Sequence, residues 1–391
     1  MSLFDRVITR DASCRKYGQL QQMFGTEDVL PLWIADMDFR TPEPIISALS
    51  SVIAQPIQGY NVEHPHWKES VTGWYEKRYA AEINEDWLHF VPGVIKTIVL
   101  TLMALTEKDD NILTCTPIYD PYPNFIKTSG RGLIQTRLIE INGSYEFDWH
   151  DFKEKINKCK MFLFVSPHNP GGIVWGRETL EKISRYCHEA GVIVVSDEVH
   201  CDLTLPGKSH IPFFMINEAL NSKSIVFTSI SKTFNVPAIQ GGVVVIKNEE
   251  LRNKFYGFLD NCYLAETNSL QQTAIYSAYT CCDNWYQELL SYLSDNVKFV
   301  TDEIAKHCPL ISIVYGGASY LLFLNAEKMG LTDEQLKFFF VHEAKLGLSP
   351  GIQYGPGGEG HMRLNVGCPH SVLMESMDRL KQAYKARMIG Q

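Results

Sequence analysis

Residues 161–200 read MFLFVSPHNPGGIVWGRETLEKISRYCHEAGVIVVSDEVH. Two short apolar runs, Met161–Ser166 (MFLFVS) and Val192–Ser196 (VIVVS), bracket a helical pattern over Arg177–Ala190. Within that pattern Leu180, Ile183 and Cys187 share one face, and Gly191 offers a C-cap. Neither run alternates apolar with polar residues, which is how strands buried on both faces read. Ser224–Ser229 (SIVFTS) and Gly242–Ile246 (GVVVI) have the same texture. Strand, helix, strand in this succession predicts an α/β fold, a mostly parallel sheet with helices on both faces. Ligands of such sheets sit outside the carboxyl ends of the strands, so the residues just after each run matter most.

After MFLFVS comes Pro167-His168-Asn169-Pro170-Gly171-Gly172, and after VIVVS comes Asp197-Glu198-Val199-His200. The turn that ends SIVFTS holds Ser229-Ile230-Ser231-Lys232-Thr233-Phe234-Asn235. Singly, each has a plain explanation: Asn-Pro-Gly-Gly is a turn, a carboxylate after a strand caps a helix, and a lysine is solvated. Jointly, they bring an amide, a carboxylate and an amine to one crevice. Pyridoxal phosphate chemistry needs that set. An amine condenses with the aldehyde, and a carboxylate keeps the pyridine nitrogen protonated so that the ring is an electron sink. An amide can hydrogen-bond the phenolic oxygen. The phosphate takes hydroxyls and backbone N–H groups at a helix N-terminus. Ser229 is the candidate hydroxyl. Pro92-Gly93-Val94-Ile95, ahead of the apolar run Thr97–Leu105, supplies candidate N–H groups, and Lys96 is a candidate for added charge or a solvated surface residue.

The remaining sequence bounds the possibilities. The chain has 391 residues, 45% of them hydrophobic, and a net charge of −9, so it can bury a large core and lacks the basic surplus of a general nucleic-acid or anionic-membrane binder. Its longest apolar runs fall well short of the roughly 20 residues that span a bilayer, and MSLFDRVITRD has no signal-peptide core. The ten cysteines include no CxxC pair, which favours reduced thiols and a cytoplasmic location. Asn142-Gly143-Ser144 fits a glycosylation sequon but reads as a turn. Ser229-Ile230-Ser231-Lys232 satisfies SxxK, yet no SDN or KTG element accompanies it. Gly351–Gly360 lacks GK[ST] and reads as a flexible loop, and no histidine or cysteine spacing calls for a metal. From about Asp283 the texture changes to a long helix over Trp285–His307, ended by Pro309, and then mixed α/β. The expected division is a segment 1–45 contributing to a small domain, a large domain 46–285 and the small domain 286–391.

Six stretches in register carry a family resemblance. They are Pro31-Leu32-Trp33-Ile34-Ala35-Asp36-Met37-Asp38-Phe39, Gly59-Tyr60, Thr116-Pro117-Ile118-Tyr119, Ser196 to His200, Ser229 to Asn235, and Gly355 to Cys368 (GPGGEGHMRLNVGC). The chain resembles fold-type I pyridoxal-phosphate enzymes, the aminotransferase class I/II-like group, and within it the MalY- and PatB-like cystathionine β-lyase (C–S lyase) branch. The resemblance implies Lys232 as the Schiff-base lysine, Asp197 as partner of the pyridine nitrogen, Asn169 on the phenolic oxygen and Tyr119 stacked on the ring. It implies Val94, Ile95 and Ser229 at the phosphate, His200 among the cofactor contacts, and Arg363, with Asn169 and Trp33, at the substrate. Arg363 would hold the α-carboxylate as a bidentate pair. Tyr60 would reach the neighbouring subunit's phosphate, which implies a homodimer with shared active sites.

Two positions depart from the aspartate aminotransferase pattern. His200 stands where that pattern often has Tyr, three residues after the pyridine Asp, and Gln240 where it often has a phosphate-binding Arg, eight after the lysine. Both fit the lyase branch. The expected activity is therefore β-elimination on L-cystathionine or related cysteine S-conjugates, giving thiol, pyruvate and ammonia. The alternatives are an aminotransferase of amino acids and a regulator-binding protein on the same scaffold.

Overall fold

A computed structural model describes residues 2–217, 220, 223–265 and 268–389. Met161–Val165 and Ile193–Asp197 lie side by side as parallel strands, with Val165 opposite Asp197. Every residue of both is buried, as the absence of alternation predicted. Helix Arg177–Glu189 joins them, burying Leu180, Ile183, Ser184 and Cys187. Ala190 is its cap, and Gly191 follows at φ 69°, where a side chain would be strained.

These strands sit in an eight-stranded sheet ordered Leu88–Val91, Gly242–Val245, Ser224–Thr228, Ile193–Asp197, Met161–Val165, Asn111–Thr116, Gly132–Ile141, Ser144–Phe147. The five strands from Ser224–Thr228 to Gly132–Ile141 are mutually parallel. Gly242–Val245 runs antiparallel to both of its neighbours. The chain between Thr228 and Gly242 contains only the four-residue helix Ile230–Thr233, not a crossover helix, so it turns back at the same end of the sheet. Lys232 and Gly241 thus share the carboxyl end with Asp197. At the far edge, Asn142 and Gly143 both have positive φ, 50° and 74°, and make a tight hairpin turn between Ile141 and Ser144.

A separate four-stranded antiparallel sheet is ordered Ser312–Val314, Leu321–Asn325, His361–Asn365, Ser349–Pro350. The long helix before it, Asp283–His307, starts two residues earlier than the sequence suggested, and Asp283 pairs with Lys77 and Arg78. Leu30–Pro31 pairs with Leu346–Gly347, tying the start of the chain to this sheet's surroundings.

Gly351–Gly360 is not the flexible loop that its composition suggested. It is a compact turn in which a Cβ on Gly351 would lie 2.2 Å from the Gly358 carbonyl, so two backbone segments touch where only glycine fits. All ten cysteines are free, and six are buried. Among the described residues no helix is long and apolar enough to cross a membrane.

Candidate active site

A cavity of about 280 Å³ opens at the carboxyl end of the parallel strands. Strand order alone explains its contents: Asp197 ends one strand, Asn169 follows the strand beside it, and Ser229 and Lys232 follow the strand on the other side. All four line the cavity, together with Val94, Ile95, Lys96, Tyr119 and His200. The predicted residues converge, apart from Trp33, Tyr60 and Arg363, which lie outside the lining.

The Asp197 carboxylate is buried and accepts from the Tyr122 hydroxyl and from the Val199 N–H, at 3.2 Å in the latter case. Burial pushes its pKa up to about 6, against the pull of those two hydrogen bonds and of the Lys232 charge. Lys232 Nζ donates to the Ala35 carbonyl at 2.7 Å. Surrounded by protein yet open to the cavity, this amine is pushed down to about 8, chiefly by desolvation and then by the like charge of Arg363. Asp36 and Asp197 oppose that shift. His200 is buried, with Nδ1 at 3.1 Å from Ser319 Oγ. Burial and the charges of Lys232 and Arg363 depress it to about 3, so it stays neutral.

Helix Val94–Leu105, whose first residues line the cavity, begins at Gly93, which has φ 132° and no side-chain cap among the described residues. Its first N–H groups are therefore free to meet an anion. Ser229 caps Ile230–Thr233, accepting from Ser231 N and donating to the Gly241 carbonyl at 2.9 Å. Lys96 Nζ donates to Gln240 Oε1.

Arg363, 5% exposed, stands behind Asn169. Its Nη1 donates to Asn169 Oδ1 at 3.1 Å and its Nη2 to the Trp33 carbonyl at 3.0 Å, while Nε has no partner among the described residues. The guanidinium lies 5.0 Å from the centre of the Tyr354 ring. Trp33 reaches the site only through that carbonyl. Its indole packs against Phe24 and donates to the Lys16 carbonyl at 3.0 Å. Tyr60 is fully exposed on the surface.

Several contributors went unassigned in the sequence. Ala35 supplies the carbonyl that receives Lys232, and Tyr320 donates to the same oxygen at 3.0 Å. Asn235 holds Met37 and Phe39 by their backbones, and Asn365 holds the Ile34 and Asp36 carbonyls. The segment Pro31–Phe39 is thereby clamped between the lysine's turn and the arginine's strand. Buried Lys16 pairs with Asp38 at 2.6 Å, and Arg10 pairs with Asp36 and Asp38, fixing that segment from outside. Tyr122 lies three residues after Tyr119, where a lone aromatic reads as core.

The donor set fits pyridoxal phosphate. A depressed amine, a buried carboxylate, an amide, a serine hydroxyl and uncapped helix N–H groups line one cavity, with a buried guanidinium behind the amide.

Residues 27–380 match the model of the family "Aminotransferase class I and II". The chain is 35% identical over 381 residues to cystathionine beta-lyase PatB of Bacillus subtilis (strain 168), covering 97% of this chain and 98% of the relative. It is 29% identical to protein MalY of Escherichia coli (strain K12), covering 98% and 99%. The crystal structure of cystalysin from Treponema denticola, which contains a pyridoxal 5′-phosphate cofactor, superposes with a TM-score of 0.94 at 29% identity, covering 98% of this chain and 99% of that one. The chain belongs to the aminotransferase class I and II family.

Proposed function

We propose that this protein is a pyridoxal-phosphate-dependent carbon–sulfur β-lyase of the cystathionine β-lyase type. It would cleave L-cystathionine or a related cysteine S-conjugate to thiol, pyruvate and ammonia. The observation that carries this reading is the meeting of Lys232, Asp197 and Asn169 in one cavity, with Arg363 hydrogen-bonded to Asn169. Kinship to a cystathionine beta-lyase over nearly the whole chain supports it.

Bound pyridoxal phosphate supplies an aldehyde for the substrate amine and a ring that accepts electrons from Cα. The rest is the work of the chain. Arg363 takes the substrate α-carboxylate through its planar fork, and Asn169 sets that fork's orientation. Lys232 would remove the Cα proton as general base, a role suited to an amine near pKa 8. Asp197 holds a proton at the pyridine nitrogen and thereby stabilises charge drawn off Cα. The C–S bond would then break with its electron pair on sulfur, which takes up a proton, and the released aminoacrylate would be hydrolysed by one water to pyruvate and ammonia. Tyr119, which lines the cavity, would stack on the ring. Ser229 and the N–H groups of Val94 and Ile95 would hold the phosphate. Lys96, joined to Gln240, adds the positive charge that Gln240 itself lacks.

We further propose a homodimer in the cytoplasm, with chain divisions at 1–45, 46–285 and 286–391. Ile53, Ile57, Tyr60 and Val62 are all exposed in one stretch, and a second copy that covers it brings Tyr60 to the neighbouring phosphate. Free cysteines support the compartment, and the separation of the eight-stranded from the four-stranded sheet supports the division.

The decisive assay measures pyruvate and free thiol from L-cystathionine, with and without 2-oxoglutarate. A lyase yields both products from the amino acid alone, and Lys232→Ala abolishes them. Turnover only with the keto acid would reassign the protein as an aminotransferase.

A further inference from the structure

We infer that Tyr122 is a positioning residue for Asp197, its hydroxyl holding the carboxylate that the cofactor's ring nitrogen meets. This rests on the cofactor reading above. Tyr122 is fully buried, in the first turn of the helix Pro121–Thr128 that follows the ring-stacking Tyr119. Its hydroxyl donates to Asp197 Oδ2, while the Val199 N–H donates to Oδ1. Each carboxylate oxygen thus has one fixed donor, and among the described residues Tyr122 is the only side chain that donates to Asp197. The phenol is itself immobilised. It meets the Tyr119 ring edge-on at 5.4 Å and the Phe125 ring edge-on at 5.2 Å. One side chain therefore braces both Tyr119 and Asp197, two residues that line the cavity.

Packing does not require the hydroxyl, because phenylalanine would fill the same space. The hydroxyl instead answers a cost that burial imposes on the acid. A carboxylate this deep is driven towards its protonated form unless donors stabilise the charge. A hydrogen bond to an ionised group is also stronger and more directional than a neutral one. Without the Tyr122 hydroxyl, Oδ2 loses its donor and the Val199 N–H at Oδ1 is the remaining donor among the described residues, so the carboxylate is held at one oxygen instead of two. The pyridine nitrogen would then meet an acceptor that has to be ordered during binding.

The test uses the full-length Tyr122→Phe enzyme. Its apoprotein should melt within a few degrees of wild type, while its pyridoxal phosphate dissociation constant, read from quenching of intrinsic fluorescence, rises by roughly tenfold or more. In the reloaded enzyme kcat should fall with little change in KM for L-cystathionine, because Tyr122 touches no substrate group. In an Asp197→Asn background the same substitution should cause no further loss of cofactor affinity. A dissociation constant within twofold of wild type, or an equal loss in the Asn background, overturns the inference. Wild-type apoprotein that takes up no pyridoxal phosphate overturns the cofactor reading and this inference together, and shows itself before any variant is made.

Discussion

The depressed pKa of Lys232 has a direct kinetic consequence. Only a neutral amine attacks the cofactor's aldehyde, so capture of pyridoxal phosphate by the apoenzyme should follow the neutral fraction of Lys232. At pH 7 an amine of pKa about 8 is about one-tenth neutral, against roughly 0.03% for one at the ordinary 10.5, an advantage of about 300-fold. The capture rate should therefore rise about tenfold per pH unit at low pH and level off above about 8. Stopped-flow mixing of apoenzyme with pyridoxal phosphate from pH 6 to 10, at constant ionic strength, reads this from the growth of visible absorbance. Arg363→Gln sharpens the test. It removes a like charge that depresses Lys232, so the midpoint moves up, yet it stays below 10.5 because desolvation is the larger cause. A wild-type rate still climbing tenfold per unit beyond about pH 9.5, or a midpoint that falls in Arg363→Gln, would refute this account.

Three other substitutions probe separate parts of the site. Arg363→Lys keeps the charge but loses the fork that spans Asn169 and the Trp33 carbonyl, so KM for L-cystathionine should rise by roughly 10- to 100-fold in steady-state assays. Lys96→Gln should weaken cofactor affinity and flatten its dependence on salt, which titrations at two ionic strengths would show. Asn235→Ala removes three hydrogen bonds to Met37 and Phe39 and puts alanine at φ 54°, so urea unfolding should show a loss of about 2–4 kcal/mol.

Much of this protein was legible before any fold was drawn. Unbroken apolar runs identified the doubly buried strands, and a 3.6-residue pattern identified the helix between Met161–Val165 and Ile193–Asp197. Once those strands are parallel neighbours, the residues following them must meet, and so Asn169, Asp197, Ser229 and Lys232 could be grouped from their order alone. The direction of Gly242–Val245 was less accessible, because an apolar run reports burial and not orientation. Gly351–Gly360 misled for a related reason: glycine content marks either freedom or close approach, and only the neighbouring backbone tells which.

Composition and periodicity therefore determined the fold class, the end of the sheet that carries chemistry, and the residue types gathered there. Tertiary structure decided how those residues are held. The bonds from Lys232 to Ala35, from Arg363 to Trp33 and from Tyr122 to Asp197 join positions 197, 330 and 75 residues apart. It also packed the Trp33 indole against Phe24 while placing its carbonyl on Arg363. Local sequence pattern encodes which face of an element is buried, because that follows from the geometry of a single strand or helix. The partner that a buried polar group finds depends on how distant elements pack, and no local period records it.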